Sequence, residues 1–93
     1  MSNLFGVQGT DSAHKTSSAE AAFELGMAYS SGSGGVPLDL VQAHRWLNVA
    51  ALCGYRPALA WRAEIAAEME GKEIVEAQRL ARSTIVQIER KAA

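Results

Sequence analysis

Residues 39–54 read DLVQAHRWLNVAALCG, and this stretch carries signals for both ends of a helix. Asp39 is a favourable N-cap residue, because its carboxylate can accept a hydrogen bond from an amide of the first turn. Gly54 suits the position just after a helix, where a left-handed backbone is common. Apolar residues recur between them at helical spacing, namely Leu40, Ala43, Leu47, Ala50 and Ala51. The stretch therefore predicts a helix over roughly residues 39–53.

A helix is also predicted on the N-terminal side of the glycine-rich segment SGSGG, residues 31–35. Ser17 and Glu20 have the spacing of a capping box, so we expect this helix to begin near Ser18. A helical wheel gives two opposite sides. One holds Ala21, Ala22, Leu25, Ala28 and Tyr29, and we expect it to face the core. The other holds Glu20, Phe23, Glu24 and Met27.

Two further helices are predicted after residue 54. Pro57 suits the first position of a helix, and Ala58, Trp61, Ile65 and Met69 then follow on one face until Gly71. The last segment has acidic residues early and basic residues late, as the helix dipole favours. Its apolar side holds Ile74, Ala77, Ala81, Ile85 and Ile88. Together with an alanine-rich, aromatic-poor composition, these patterns predict an all-α protein.

The second half of the chain partly repeats the first. The segment DLVQAHRWL at 39–47 aligns with EIVEAQRLA at 73–81 at an offset of 34 residues. A period in the mid-thirties is typical of helical repeat proteins. We therefore expect two antiparallel helical hairpins, stacked as a short αα-solenoid fragment over residues 17–91. Residues 1–16 are polar and glycine-containing, and we expect them to form a mobile tail.

Residues 19–54 resemble one complete repeat of the Sel-one-like family, relatives of the tetratricopeptide repeats. The positions that match the family signature are Ala21, Leu25, Gly26, Tyr29, Gly32, Gly35, Val36, Asp39, Ala43, Trp46, Ala50, Ala51 and Gly54. Residues 55–90 resemble a degenerate terminal repeat, with Arg62 in place of the signature leucine and Ala63 in place of the signature glycine. The resemblance implies stacked helices that serve as a protein-interaction or scaffold module.

Gly26 also has a physical interpretation, because a glycine within a helix lets a neighbouring helix approach closely. We expect its partner in that approach to be the helix that carries Leu47. The glycine loop after the first helix is interpreted as a connector and not as a phosphate site. It follows a helix instead of a strand, and it lacks the lysine of a P-loop.

The composition and the spacing of reactive residues argue against several functions. Nine basic and ten acidic side chains leave a net charge of −1, which gives no bulk attraction to nucleic acid. His44 and Cys53 lie on opposite sides of one helix, so they cannot share a metal ion. Cys53 is expected to be a buried structural thiol. We predict a non-catalytic protein with no metal and no cofactor.

The single cysteine and the absence of a long apolar run favour a cytoplasmic protein with no membrane segment. The predicted function is a protein-interaction or scaffold module. The alternative is a structural accessory subunit that only self-associates, and nucleic-acid binding is the least favoured class. The predicted partner surface is formed by Phe23 and Met27 with Glu20 and Glu24, on the side of the first helix away from Leu25. An apolar pair there has no expected contact within the chain, which indicates a partner. The alternative is that Leu4 and Phe5 of the N-terminal tail cover the pair. Two repeats are few for a solenoid, so a homodimer is a further possibility.

Overall fold

The computed structural model describes residues 18–92, with the side chain of residue 92 left out, and this part of the chain is all-helical. The four helices are α1 (Ser18–Ser31), α2 (Leu40–Leu52), α3 (Pro57–Ala66) and α4 (Gly71–Ala92). The predicted fold class is thus confirmed for the described residues. The predicted tail at residues 1–16 and the capping serine at position 17 lie outside them.

The signals that end and begin helices are confirmed around α2. The carboxylate of Asp39 accepts a hydrogen bond of 3.1 Å from the amide of Gln42, as an N-cap residue should. Gly54 follows the helix with φ of 101°, a conformation that side-chain-bearing residues resist. Pro57 is the first residue of α3, as predicted. These local signals fix where the chain turns.

The glycine loop reverses the chain between α1 and α2. Gly32, Gly34 and Gly35 all have φ between 66° and 85°, which is the left-handed region. The amide of Gly32 donates to the carbonyl of Ala28, and the amide of Asp39 donates to the carbonyl of Tyr29. The loop thus ends one helix and returns the chain to begin the next, in agreement with the prediction that it is a connector.

The core consists largely of alanine, which lets the helices approach closely. Leu47 and Val49 of α2 are the largest fully buried side chains in the described region. Gly26 of α1 lies directly against Leu47. A Cβ placed on Gly26 would be 2.8 Å from Leu47 Cγ and 3.1 Å from the Leu47 backbone nitrogen. The predicted close approach of these two helices is confirmed.

The three other helices within residues 18–92 all pack against α2. The helices α1, α3 and α4 each make extensive contact with it, whereas α3 and α4 make at most marginal contact with each other. The first predicted hairpin, α1 with α2, is therefore a packed pair. The second half does not form a comparably packed pair, because α3 and α4 both use α2 as their main partner.

The predicted core face of α1 is partly wrong. Ala22 is buried, but Ala21 is exposed, Leu25 is only half-buried, and the other buried positions are Ala19 and Gly26. The buried side is therefore rotated from the predicted one. The pattern was ambiguous because alanines occur on both sides of this helix, so hydrophobicity alone distinguished the sides poorly.

The boundary between α3 and α4 also differs from the prediction. The helix α3 ends at Ala66, and Gly71 begins α4 instead of terminating α3. The carboxylate of Glu73 accepts a hydrogen bond of 2.8 Å from the amide of Glu70, which is one half of a capping box. This contact of the Glu73 side chain with the Glu70 amide stabilises the first turn, so α4 already begins at Gly71. Trp61, predicted on the core face of α3, is 45% exposed.

Candidate functional site

The predicted partner surface on α1 is only partly exposed. Glu20 and Glu24 are exposed, whereas Phe23 and Met27 are half-buried and pack against the core. The ring of Phe23 lies 4.8 Å from that of Tyr55, measured between centroids, at an interplanar angle of 48°. The reason given for this surface, that the apolar pair has no contact within the chain, is therefore wrong. Whether these four residues contact a partner stays a prediction.

The signature positions of the first repeat lie mainly in the packed hairpin. Ala43, Leu47 and Ala50 are fully buried, and Gly26 is buried against Leu47. Five further signature positions are half-buried, namely Leu25, Tyr29, Val36, Trp46 and Ala51. Asp39 and Gly54 lie at the two ends of α2, and the others are exposed, namely Ala21, Gly32 and Gly35. These residues are structural in the described geometry, and none of them builds a reactive site.

The polar side of α2 contacts α4 through Arg45. The Nε and Nη2 atoms of Arg45 donate to Thr84 Oγ1 at 3.2 and 3.0 Å, and Nη1 donates to Gln42 Oε1 at 2.9 Å. The Thr84 hydroxyl in turn donates to the carbonyl of Leu80. The Arg45 guanidinium also lies 4.5 Å from the centroid of the Trp46 ring. Arg45 is thus held in one position by several contacts, all of them with uncharged groups.

The same helix contacts α3 through a second arginine. Arg62 Nη1 donates a hydrogen bond of 2.6 Å to Oδ1 of Asn48, a residue that is only 8% exposed. Arg62 itself is half-buried. The sequence pattern marked Arg62 as a departure from the repeat signature and suggested a polar cap at the C-terminal end of the repeat, but it did not identify Asn48 as the partner of Arg62. The missed signal was Asn48 itself, a polar residue between Leu47 and Val49 that needs a hydrogen-bonding partner once it is buried.

His44 lies on α2 one turn before Asn48 and is 3% exposed. Its Nδ1 atom is buried without a hydrogen-bond partner among the described residues. Burial lowers the pKa of this imidazole, and the positive charge of Arg62 lowers it further. His44 is therefore held in its neutral form in the folded protein over a wider pH range than a free histidine.

Neither Arg45 nor Arg62 takes part in an ion pair within residues 18–92. The ion pairs there join Lys72 to Glu70 at 3.8 Å and Arg79 to Glu76 at 2.6 Å, and both pairs are exposed. The Arg79 contact lowers the pKa of the Glu76 carboxyl, first through its hydrogen bonds. The two half-buried arginines thus differ from Arg79, since their partners are neutral.

Reactive groups are not grouped in a catalytic arrangement in the described region. Cys53 is exposed at the end of α2, which corrects the expectation of a buried thiol. Its place in the C-cap turn leaves it outside the helix contacts. Within residues 18–92, no three histidine, cysteine or acidic side chains come together as metal ligands would. What the geometry does offer is hydrogen-bond donors with positive charge.

Large apolar side chains are exposed on the two helices of the second half. Leu59 and Trp61 on α3 are 47% and 45% exposed, and Val75 and Val86 on α4 are 62% and 44% exposed. Leu38 before α2 and Leu52 at its end are exposed as well. None of the described helices has the length and apolar character required to cross a membrane.

No protein-family model, curated protein or solved structure matches this chain.

Proposed function

We propose that the chain is a non-catalytic protein-interaction or scaffold module of the helical repeat type, acting in the cytoplasm. In this proposal α1 and α2 form one Sel-one-like repeat, and α3 and α4 form a degenerate terminal repeat that continues a short αα-solenoid. The buried contact between Gly26 and Leu47 supports this assignment, because it explains why the first repeat needs glycine at its signature position. The exposed thiol of Cys53 is compatible with a reducing compartment.

The observation that carries the proposal is the apolar surface of α3 and α4. Both helices pack on α2, and they leave Leu59, Trp61, Val75 and Val86 exposed. Several such residues on neighbouring helices are typical of surfaces that bind other proteins. Helical repeats provide rigid surfaces of this kind. A protein partner is therefore the occupant that this surface supports best.

The test is affinity purification of the tagged full-length chain from its native cells, followed by light scattering on the purified chain. We expect a foreign protein in stoichiometric amount. Trp61→Ser should reduce its recovery, whereas the matched control Leu38→Ser should not, because Leu38 lies in the connecting loop. Circular dichroism of each variant would establish that it is folded.

The competing function is that of an accessory subunit that only self-associates, and the same exposed residues allow it. Light scattering over a wide range of concentration separates the two. Oligomers that dissociate after Trp61→Ser, without any foreign protein, would support self-association and contradict the proposal. A monomer that retains no foreign protein would contradict both functions.

A further inference from the structure

One side of α2 lies between α3 and α4. Arg45 and Asn48 are three residues apart, so their side chains are neighbours on one side of the helix. Arg45 reaches Thr84 of α4, and Asn48 accepts a hydrogen bond from Arg62 of α3. The helices α3 and α4 make at most marginal contact with each other, so this side of α2 joins two helices that are otherwise nearly separate. We refer to it below as the arginine cleft, defined by Arg45, Arg62, Asn48 and Thr84.

The arginine cleft holds positive charge that the described chain does not neutralise. Arg45 and Arg62 are the half-buried basic residues in the described region, whereas the other lysines and arginines there are exposed. Charged groups that lose contact with water are normally paired with an opposite charge. Here Arg45 donates to the amide oxygen of Gln42 and to the Thr84 hydroxyl, and Arg62 donates to the amide oxygen of Asn48. All of these partners are neutral. The site is therefore short of negative charge.

Apolar side chains border this charge. Leu52 lies one turn after Asn48 on the same side of α2 and is 58% exposed. Leu59 lies three residues before Arg62 on α3 and is 47% exposed. A ligand that neutralises both guanidinium groups could thus also bury these two leucines. Guanidinium groups favour carboxylates, because the planar donors can bind both oxygens of one carboxyl group.

We propose that the arginine cleft binds an acidic peptide segment of a partner protein, with carboxylates on Arg45 and Arg62 and apolar side chains on Leu52 and Leu59. This inference rests on the proposed function and names the chemistry of the partner. A nucleic acid would fit less well, because two arginines bordered by leucines offer few phosphate contacts. The hydrogen bonds to Gln42, Thr84 and Asn48 hold the two guanidinium groups in place before the ligand binds, which lowers the entropic cost of binding.

The test uses the full-length chain and a fluorescent, capped peptide composed of glutamate, serine and a pair of leucines. Anisotropy should show saturable binding that weakens as salt is added. The same peptide with glutamine in place of glutamate should not bind. Arg45→Gln and Arg62→Gln should each weaken binding by about tenfold or more, as expected for the loss of a charged hydrogen bond. The matched control Arg82→Gln removes an exposed arginine of α4 and should have no effect.

A measurement on the unaltered protein avoids dependence on how the variants fold. The Nε–H resonance of Arg45 should shift when the glutamate peptide is added and stay in place with the glutamine peptide. Absence of both a shift and saturable binding would overturn the proposal. So would tighter binding of a single-stranded oligonucleotide than of the peptide.

Two other occupants are distinguished by the same assay. The segment before the described residues, 1–17, contains one acidic residue, Asp11. If its carboxylate fills the cleft, peptide binding would appear only after Asp11→Asn, and the proposal would be wrong. If a second copy fills it, the chain would form salt-sensitive oligomers that Arg45→Gln dissociates, which would also overturn it. Capture of a stoichiometric partner that Arg45→Gln and Arg62→Gln leave unchanged would overturn this inference while the proposed function stands.

Discussion

Replacing Gly26 with alanine adds one methyl group at the closest contact between α1 and α2. Its Cβ would lie 2.8 Å from Leu47 Cγ, 3.0 Å from Cδ2 and 3.1 Å from the backbone nitrogen. Leu47 is fully buried, and neither its Cγ nor its amide can rotate far from the new methyl group. The helices would have to separate, at a cost of about 1–3 kcal/mol for overpacking.

Gly26→Ala has two opposing effects on the free energy of unfolding, so the sign of the measured change shows which effect is larger. Alanine favours a helix interior over glycine by about 1 kcal/mol, so without the contact Gly26→Ala should stabilise the protein. We expect overpacking to exceed this gain, with a net loss of about 1 kcal/mol in the free energy of unfolding. For a domain of this size, that loss corresponds to a drop in Tm of about 4–8 °C. Gly26→Leu adds more atoms at the same contact and should cost more.

Urea denaturation followed by circular dichroism measures the effect, and two further variants isolate its cause. Gly71→Ala is the matched control, because a Cβ there meets nothing within 4 Å, and its stability should equal or slightly exceed that of the parent. Leu47→Ala alone should cost roughly 2–5 kcal/mol through the cavity it leaves. The double variant should cost less than the sum of the single variants, because the methyl group then occupies vacated space. A Gly26→Ala protein more stable than its parent, or strict additivity, would refute this reasoning.

Three smaller perturbations follow from other contacts. Asp39→Ala removes the cap on the Gln42 amide and should lower the free energy of unfolding by about 1 kcal/mol in the same urea assay. Phe23→Leu removes the ring contact with Tyr55, and a loss of about 0.5–1.5 kcal/mol beyond the lost area is expected, whereas an unchanged Tm would show that α1 does not depend on this pair. The depressed pKa of His44 means that the unfolded chain takes up its proton first, so stability should fall as pH drops below the unfolded pKa of about 6.5 and level off below the folded pKa. His44→Gln should reduce this slope in melts recorded across that range.

The helix ends were predictable from the sequence because their causes are local. Asp39, Gly54 and Pro57 act within a few residues of their own positions, through a cap, a left-handed turn and a fixed φ. The close approach at Gly26 was also predictable, since a glycine within a helix, with small residues around it, suggests a helix contact.

The faces of α1 and α3 were less predictable because their burial depends on distant residues. Phe23 is half-buried because Tyr55, which follows α2, comes to lie against it. Trp61 is 45% exposed, and the helix that carries it makes its main contacts with α2 alone. The sequence of a single helix does not indicate either arrangement. In addition, alanine occurs on several sides of these helices, so the hydrophobic periodicity that would mark the buried side is weak. The contacts of Arg45 with Thr84 join residues 39 positions apart, so the candidate site could not be located before the helices were arranged.

Arg62 is the residue at which the proposed second repeat departs from its pattern, and it also contributes charge to the arginine cleft. A leucine at position 62 could pack against a neighbouring apolar helix, whereas Arg62 must keep its guanidinium near polar groups. It reaches Asn48 of α2, and the helix that carries it stays apart from α4. Arg62, which departs from the proposed repeat pattern, therefore also provides one of the two charges that the described residues do not neutralise. On this argument the loss of the repeat signature and the proposed affinity for an acidic segment have the same physical origin.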